Sequence, residues 1–225
     1  MEDFLKAVYV LQQQIDATAT DDGDEMPRVA TNSLAEVLAI SAPSVTDMAR
    51  RLAKSDLVDY KRYYGVRLTS EGEAIALHVI RRHRLIELYL AEELGYGLHE
   101  VHDEAEKLEH VVSERFVEAI SRKLDHPTVD PHGDPIPAED GTVIHAQTTP
   151  LSALPVDVTA SISRLKAKNN EMLRHILDRG FRLGLLVTVR DRDPFEGPLT
   201  VDVDGQATTI GHAIANCIFV EKSEV

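Results

Sequence analysis

Four of the ten prolines of this chain, Pro127, Pro131, Pro135 and Pro137, fall within eleven residues. Proline has no N–H to donate and fixes φ, so neither a helix nor a central strand passes through that stretch. The segment therefore divides the chain, and the residues on its two sides follow different periods. On the N-terminal side apolar residues recur every three to four positions, the helical spacing. Beyond it, VTASISRL (158–165), LLVTVRDR (185–192), LTVDVDG (199–205) and CIFVEK (217–222) alternate with period two, as half-buried strands do. One helix, at about 169–179 and ending at Gly180, interrupts them. Short strands, Gly/Pro turns and a single helix predict a small antiparallel barrel of about 70 residues. A linker is expected at about 126–152.

Before the prolines, residues 2–15 read as a helix with Phe4, Leu5, Val8, Leu11 and Ile15 on one stripe. The acidic stretch 16–26 reads as a solvated connector. SLAEVLA (33–39) reads as a short helix capped by Asn32 or Ser33, with Glu36 placed for a capping box on Ser33. After a turn at Ile40-Ser41, Pro43 takes an early helical position, and Val45, Met48, Ala49 and Leu52 form the stripe of a helix at 42–55. LVDYKRYYGVRLT (57–69) reads as two β segments around Tyr64-Gly65. Thr69 or Ser70 caps the next helix, and long amphipathic helices are expected at 78–94 and 98–124, broken by GYG (95–97).

Composition narrows the function classes. No apolar run approaches the roughly 18 residues of a membrane helix. The opening MEDFLK has no basic n-region, so no signal peptide and a cytoplasmic location are expected. The single cysteine, Cys217, excludes an internal disulfide and a Cys-based zinc finger. Net charge is −14, which opposes approach to a polyanion. The charge is uneven, however: residues 50–67 hold Arg50, Arg51, Lys54, Lys61, Arg62 and Arg67 against Asp56 and Asp59.

That basic strip coincides with a helix–turn–helix–hairpin pattern at 33–69. In such a module the second helix enters the major groove and the hairpin wing touches the backbone. Ser41, Ser44, Thr46 and Asp47 are short side chains near the start of that helix, able to approach bases or phosphates. Arg50, Arg51, Lys54, Lys61, Arg62 and Arg67 would supply sequence-independent attraction. A winged helix used for protein contact, or a three-helix domain with a solvated basic face, would carry the same pattern.

A second constellation pairs His83 and Glu87, at i and i+4, with His102, Glu106, Glu109 and His110 downstream. At ~100° per residue from Val101, the last four fall near 100°, 140°, 80° and 180°, within about a quarter-turn. Val101, Ala105, Leu108 and Val112 lie beside them. Carboxylates and imidazoles at the edge of a core are costly as isolated charges, and a divalent cation relieves that cost. Solvated i,i+4 pairs such as Glu106 with His110 are the plainer explanation for any one residue. Six such residues on adjacent helices favour a metal.

At this point the chain resembles the metal-dependent repressors typified by the diphtheria toxin repressor, the mycobacterial iron-dependent regulator and the manganese transport regulators. The matching stretches are EDFLKAVYVL (2–11), LAISAPSVTDMARRL (38–52), RRHRLIELYL (81–90), VHDEAEKLEHVVSE (101–114) and DPHGDPIP (130–137). The resemblance implies a mainly α chain with small β parts in three domains. These are a winged helix-turn-helix at 1–77, a helical metal-binding and dimerisation domain at 78–140, and an SH3-like (FeoA-type) β-barrel at 153–225. It implies one metal at Asp3, Glu106, Glu109 and His110. A second falls at His83, Glu87 and His102, with help from the third domain, where Glu171 is the best candidate and Asn169 and Met172 lie nearby. DNA contacts are implied around Ser41, Pro43, Ser44, Thr46 and Asp47.

Two positions set the expected metal. Iron-responsive relatives typically carry Met and Cys where this chain has Asp3 and Glu106. Hard oxygen donors suit Mn²⁺, while soft sulfur suits later metals. The chain also departs from the shorter manganese regulators, some of which place a carboxylate where Lys6 stands and lack a match for His102. The reading is therefore a homodimeric, Mn²⁺-responsive regulator of metal-uptake genes. It would hold two ions per subunit, bind a palindromic duplex operator, and have no membrane or small-molecule substrate. An Fe²⁺-dependent repressor of the same architecture is the alternative. A metal-dependent hydrolase is the rival from another class, and neither a nucleophile motif nor HExxH supports it.

Overall fold

The computed structural model describes residues 1–16 and 27–222, so the acidic connector lies, from residue 17 on, outside the described residues. The chain forms two compact units, Met1–Arg82 with Pro137–Thr142, and His83–Ile136 with Val143–Val225. No helix among the described residues is long and apolar enough to cross a membrane.

In the first unit, helix α1 (Glu2–Asp16) buries Phe4, Leu5 and Val8. Gln12 is also buried; its amide donates to the Pro27 carbonyl and its oxygen accepts from the Leu68 N–H, which satisfies both ends of a polar group in the core. Helix α2 (Thr31–Val37) starts earlier than expected. Its N-cap is Ala30, with no side-chain cap, so Asn32 and Ser33 lie inside the helix and the expected capping box does not form. Helix α3 (Ala42–Lys54) follows its sequence signals: Ser41 caps it by accepting from the Ser44 N–H, Pro43 sits in the first turn, and Val45, Ala49 and Leu52 are buried. Strands β1 (Val58–Lys61) and β2 (Gly65–Leu68) form the antiparallel wing, with Lys61 opposite Gly65. A bridge between Val29 and Val66 clamps the wing next to its turn. Gly65, at φ +108, lies so close to the Val29 carbonyl that a Cβ would come within 2.2 Å of its oxygen. Helix α4 (Ser70–Leu94) is one continuous element; Thr69 caps it by accepting from the Gly72 N–H.

In the second unit the expected helix at 98–124 is two helices, α5 (Val101–Leu108) and α6 (Glu114–Lys123). Ser113 ends the first course and caps α6, its Oγ accepting from the Phe116 N–H. Leu85, Ile86, Val101, Ala105, Val117, Ile120 and Ile136 form the core here.

The proline-rich stretch is ordered into a closed loop. The Asp130 carboxylate accepts from the backbone N–H groups of His132 and Asp134, the Ile136 N–H donates to the Thr128 carbonyl, and Gly133 turns at φ +87. The loop docks on strand β4 (Thr159–Leu165), where the Leu165 N–H donates to the His132 carbonyl and Arg164 reaches Asp134 at 2.7 Å.

β4 belongs to an antiparallel six-stranded sheet. Its other strands are β3 (Thr149–Pro150), β5 (Leu186–Arg192), β6 (Leu199–Val203), β7 (Gln206–Ile210) and β8 (Ile218–Lys222), in the order β3-β8-β4-β5-β6-β7. Helix α7 (Asn170–Asp178) and the one-turn helix α8 (His212–Ala215) complete this part. Its core holds Phe181, Ile162, Ile176, Leu199 and Ile218.

Candidate metal centre

His83 lies on the inner face of α4, one turn before Glu87, and both are buried. His102 and Glu106 are on α5, and Glu109 closes its last turn, its N–H donating to the Ala105 carbonyl. Helical periodicity and the cap at Ser113 thus bring three carboxylates and two imidazoles together. His83 Nδ1 is 2.6 Å from Glu109 Oε2 and 3.7 Å from Glu106 Oε2. His83 Nε2 is 3.0 Å from Glu87 Oε1 and 3.1 Å from His102 Nδ1, and His102 Nδ1 is 3.1 Å from the same Glu87 oxygen. His110 follows Glu109, with its Nε2 3.4 Å from Glu109 Oε1.

A neutral imidazole carries one N–H, yet both ring nitrogens of His83 face carboxylate oxygens. Glu87 and Glu109 are almost wholly buried, at 3% and 0% exposure, so their charges need a compensating cation. Burial pushes the Glu87 carboxyl up, but hydrogen bonds from His102 and His83 outweigh it and hold the group far below the usual carboxylate range. Ionised carboxylates beside imidazoles are the donor state a divalent cation requires. His83, His102 and Glu106 offer donor atoms within 4.8 Å of one another. The single cysteine, Cys217, stands apart, buried in the C-terminal core against Met172. An oxygen-and-nitrogen set of this kind fits hard or borderline divalent ions.

The two sites expected from the sequence share His83, because Glu106 and Glu109 of the first set both reach it. Asp3 lies in the first turn of α1, exposed, in the other compact unit. Glu171 is exposed in the first turn of α7 and stands outside the cluster; the adjacent Asn170 instead donates to Asp103 of α5. Met172 contacts Cys217 and Asn169 caps α7. His132, which the sequence reading does not single out, lies in the closed loop beside this cluster. Burial pushes its imidazole below the usual range, while Glu87 and Asp134 pull the other way and His102 and His83 add to the fall. It falls in DPHGDPIP, one of the stretches that carry the family resemblance.

On the DNA-binding side, Ser41, Pro43, Ser44, Asp47 and Arg50 are exposed along the start and outer face of α3, and Thr46 is half-buried. Arg51 pairs with Asp47 at 3.4 Å. Lys61 and Arg62 are exposed at the wing. Arg67 is engaged differently from the expectation: with Arg28 it is bound to Asp59, whose carboxyl these guanidiniums, Arg28 first, hold below the usual range. It therefore anchors the wing and is spent on an internal contact.

Three family models match the chain: the iron dependent repressor N-terminal DNA binding domain over residues 1–66, the iron dependent repressor metal binding and dimerisation domain over 69–138, and the FeoA domain over 149–222. Among solved structures, a manganese-dependent transcriptional repressor in complex with manganese is 38% identical, with a TM-score of 0.85 and 98% of each chain covered. The manganese regulator SloR is 32% identical, with a TM-score of 0.73, covering 99% of this chain and 98% of its own. The iron-dependent repressor IdeR of Mycobacterium tuberculosis is 28% identical over 202 residues, 84% of this chain and 87% of that protein. Winged DNA-binding module, helical metal-binding domain and FeoA domain follow one another here in the same order across nearly the whole chain, and the protein belongs to the family of metal-dependent, DNA-binding transcriptional repressors, which are regulators and not enzymes.

Proposed function

We propose that this protein is a homodimeric, cytoplasmic, manganese-responsive repressor of metal-uptake genes that binds a palindromic operator when metal-loaded. The single observation that carries the manganese assignment is the donor set: carboxylate and imidazole, with no cysteine among the described residues, at the cluster around His83. Its likeness to a manganese-dependent repressor at 38% identity adds support. On this reading Asp3, Glu106, Glu109 and His110 hold one ion, and His83, Glu87 and His102 a second, with Glu171 a weaker contributor from the C-terminal domain. The domains run 1–77 for DNA binding, 78–140 for metal binding and dimerisation, and 153–225 for the FeoA-type fold. Ser41, Pro43, Ser44, Thr46 and Asp47 meet the bases or adjacent phosphates, and Arg50, Arg51, Lys61 and Arg62 the backbone.

Bound metal supplies positive charge between carboxylates that are otherwise crowded around one imidazole. The chain's own part is to keep those carboxylates ionised and close. Coupling to DNA is then a free energy shared between two sites, so metal should tighten operator binding by the same factor that operator tightens metal binding. Fe²⁺ is the alternative effector, since it neighbours Mn²⁺ in affinity order and the curated iron-dependent relatives match over 84% of the chain. The test is anaerobic operator binding by the metal-free protein titrated separately with Mn²⁺, Fe²⁺, Co²⁺ and Zn²⁺, for wild type and Glu106→Cys. Mn²⁺ should activate wild type at the lowest free concentration relative to its cellular range, and Glu106→Cys should shift the order toward the softer ions. An unchanged order in the variant would contradict the assignment.

A further inference from the structure

Helix α4 belongs to both compact units. It runs unbroken from Ser70 to Leu94, and the division between the units falls inside it, at Arg82–His83. A second stretch of chain crosses the same division twice: Ile136 belongs to the second unit, Pro137–Thr142 to the first, and Val143 to the second again. That stretch is fixed to one stripe of α4. Leu77, Arg81 and Arg84 stand at i, i+4 and i+7, so they share a face of the helix over about 10 Å of its length. In the second unit Arg84 donates to the Pro135 carbonyl and pairs with Asp130 at 3.6 Å. In the first unit the buried Arg81 donates to the Pro137 carbonyl at 2.9 Å, and its guanidinium lies 3.9 Å from Glu139. The chain then turns, the Ala138 N–H donating to the Thr142 carbonyl and the Gly141 N–H to the Ala138 carbonyl. A Cβ at Gly141 would stand 3.6 Å from Leu77 Cδ1, so this turn rests on the first residue of the stripe. Between the two carbonyls that the arginines grip lies only Ile136, buried in the core of the second unit, with a φ-fixing proline on each side. A strap so short and stiff, held on both sides of the division, has no slack.

We propose that residues 135–142 splint α4 at Arg82–His83, and that Arg81 is a positioning residue that carries metal occupancy at the His/Glu centre to the DNA-binding unit. This role rests on the reading of the chain as a metal-activated repressor. A long helix bends unless something holds it, and sharp bends arise where its ladder is locally disturbed. A bend at Arg82–His83 would move Arg81 and Arg84 relative to acceptors only two residues apart in the chain. One of the two contacts would then break, and a buried guanidinium would lose its partner, which is costly. The splint therefore favours the straight helix. His83 is the first residue past the division and the middle of the metal cluster, so whatever fixes His83 fixes the end of this lever. With the splint in place, the geometry that metal imposes on His83 and Glu87 reaches the DNA-binding unit through α4. Without it, α4 bends and part of that constraint is lost on the way. The coupling passes through one element with two arrangements, straight and bent, whose balance both sites bias.

The test uses the full-length protein and a duplex that it enriches from a random pool. Duplex affinity is measured with saturating Mn²⁺ and again in a chelator, and the ratio of the two is the metal-induced gain. Arg81→Met keeps the apolar stem and removes both contacts of the guanidinium. It should cut the gain about tenfold, within the range that residues along a coupling route command. Mn²⁺ binding to the DNA-free variant, followed by calorimetry, should match wild type, because Arg81 is not among the ligands. Arg81→Lys keeps a cationic donor and should restore part of the gain. Pro137→Ala keeps the acceptor carbonyl but frees its φ, and should lower the gain at least twofold without leaving a buried charge unpaired. A wild-type gain in both Arg81→Met and Pro137→Ala overturns the proposal. So does a loss of duplex affinity that is equal with and without Mn²⁺, since that would be a defect of the DNA-binding unit alone. Thermal melts place the working temperature below the transition of every variant. If Arg81→Met does not fold, Pro137→Ala decides by the same criterion. A wild type with no gain from Mn²⁺ would instead overturn the reading as a metal-activated repressor, and the role of the strap with it.

Discussion

His83 is the residue on which the centre turns. One imidazole at the middle of α4 faces Glu87 with Nε2 and Glu109 with Nδ1, and 5% of it is exposed. Its i,i+4 partner was plain in the sequence, since period alone sets Glu87 on the same face. Its contact with Glu109, 26 positions later, needed α5 to be laid against α4, which the apolar row Val101 and Ala105 accomplishes. Asp130 shows a different balance at the same scale. It is buried, and burial, Asp134 and Glu87 together push its carboxyl up to about 7 against an opposing pull from Arg84. A folded pKa above the unfolded 3.8 favours the fold fully below the unfolded value, and that contribution is lost as pH rises through about 7. Asp130→Asn keeps the oxygen that accepts from His132 and Asp134 without the charge. The stability of metal-free wild type relative to Asp130→Asn should therefore fall by roughly 4 kcal/mol from acid to weakly alkaline pH. Denaturant unfolding across that range measures it, and a difference that does not vary with pH would refute it.

At the scale of elements, α3 and the C-terminal strands were legible because local chemistry and tertiary packing agree there. Ser41 caps, Pro43 starts, and Val45, Ala49 and Leu52 are buried as their spacing requires. VTASISRL and CIFVEK alternate and do form central strands of the sheet. β7, QATTI, was not legible: it is an edge strand, mostly exposed, and carries no apolar alternation. The break after α5 was hidden because Val111 and Val112 continue an apolar helical pattern, although Val111 is 76% exposed. Only the Ser113 cap marks it.

The proline-rich stretch misled in another way. Prolines exclude regular structure and say nothing about looseness, and here the loop is pinned between Arg84 of α4 and Arg164 of β4. Gly133 is its tightest point. A Cβ there would come within 2.0 Å of the Ser163 carbonyl oxygen, at a φ of +87 that alanine adopts with strain. Gly133→Ala should destabilise the protein by about 2–4 kcal/mol and lower its melting temperature. A melting temperature equal to wild type would show that the loop is not held as described.

At the scale of the whole molecule, charge is partitioned. The chain carries −14, yet Arg50, Lys61 and Arg62 stand exposed on the outer face of α3 and on the wing. Local counterion release sets the salt dependence of binding, and a dimer using about three to four such cations per subunit should show a log–log slope of roughly −5 to −7. Operator binding at saturating Mn²⁺ over a salt series measures it, and a slope near zero would mean that this strip does not meet phosphate. Metal occupancy would join that surface to the His/Glu centre, and Glu106 offers the cleanest test. It is 46% exposed by its side chain, so truncating it leaves the fold intact, and it reaches His83 Nδ1 at 3.7 Å. The measurement is operator affinity against free Mn²⁺, by fluorescence anisotropy at fixed salt, for wild type and Glu106→Ala. Wild type should bind operator only as Mn²⁺ loads, and the variant should need at least tenfold more Mn²⁺, the loss of one charged donor. A variant that keeps the wild-type Mn²⁺ response would contradict this link.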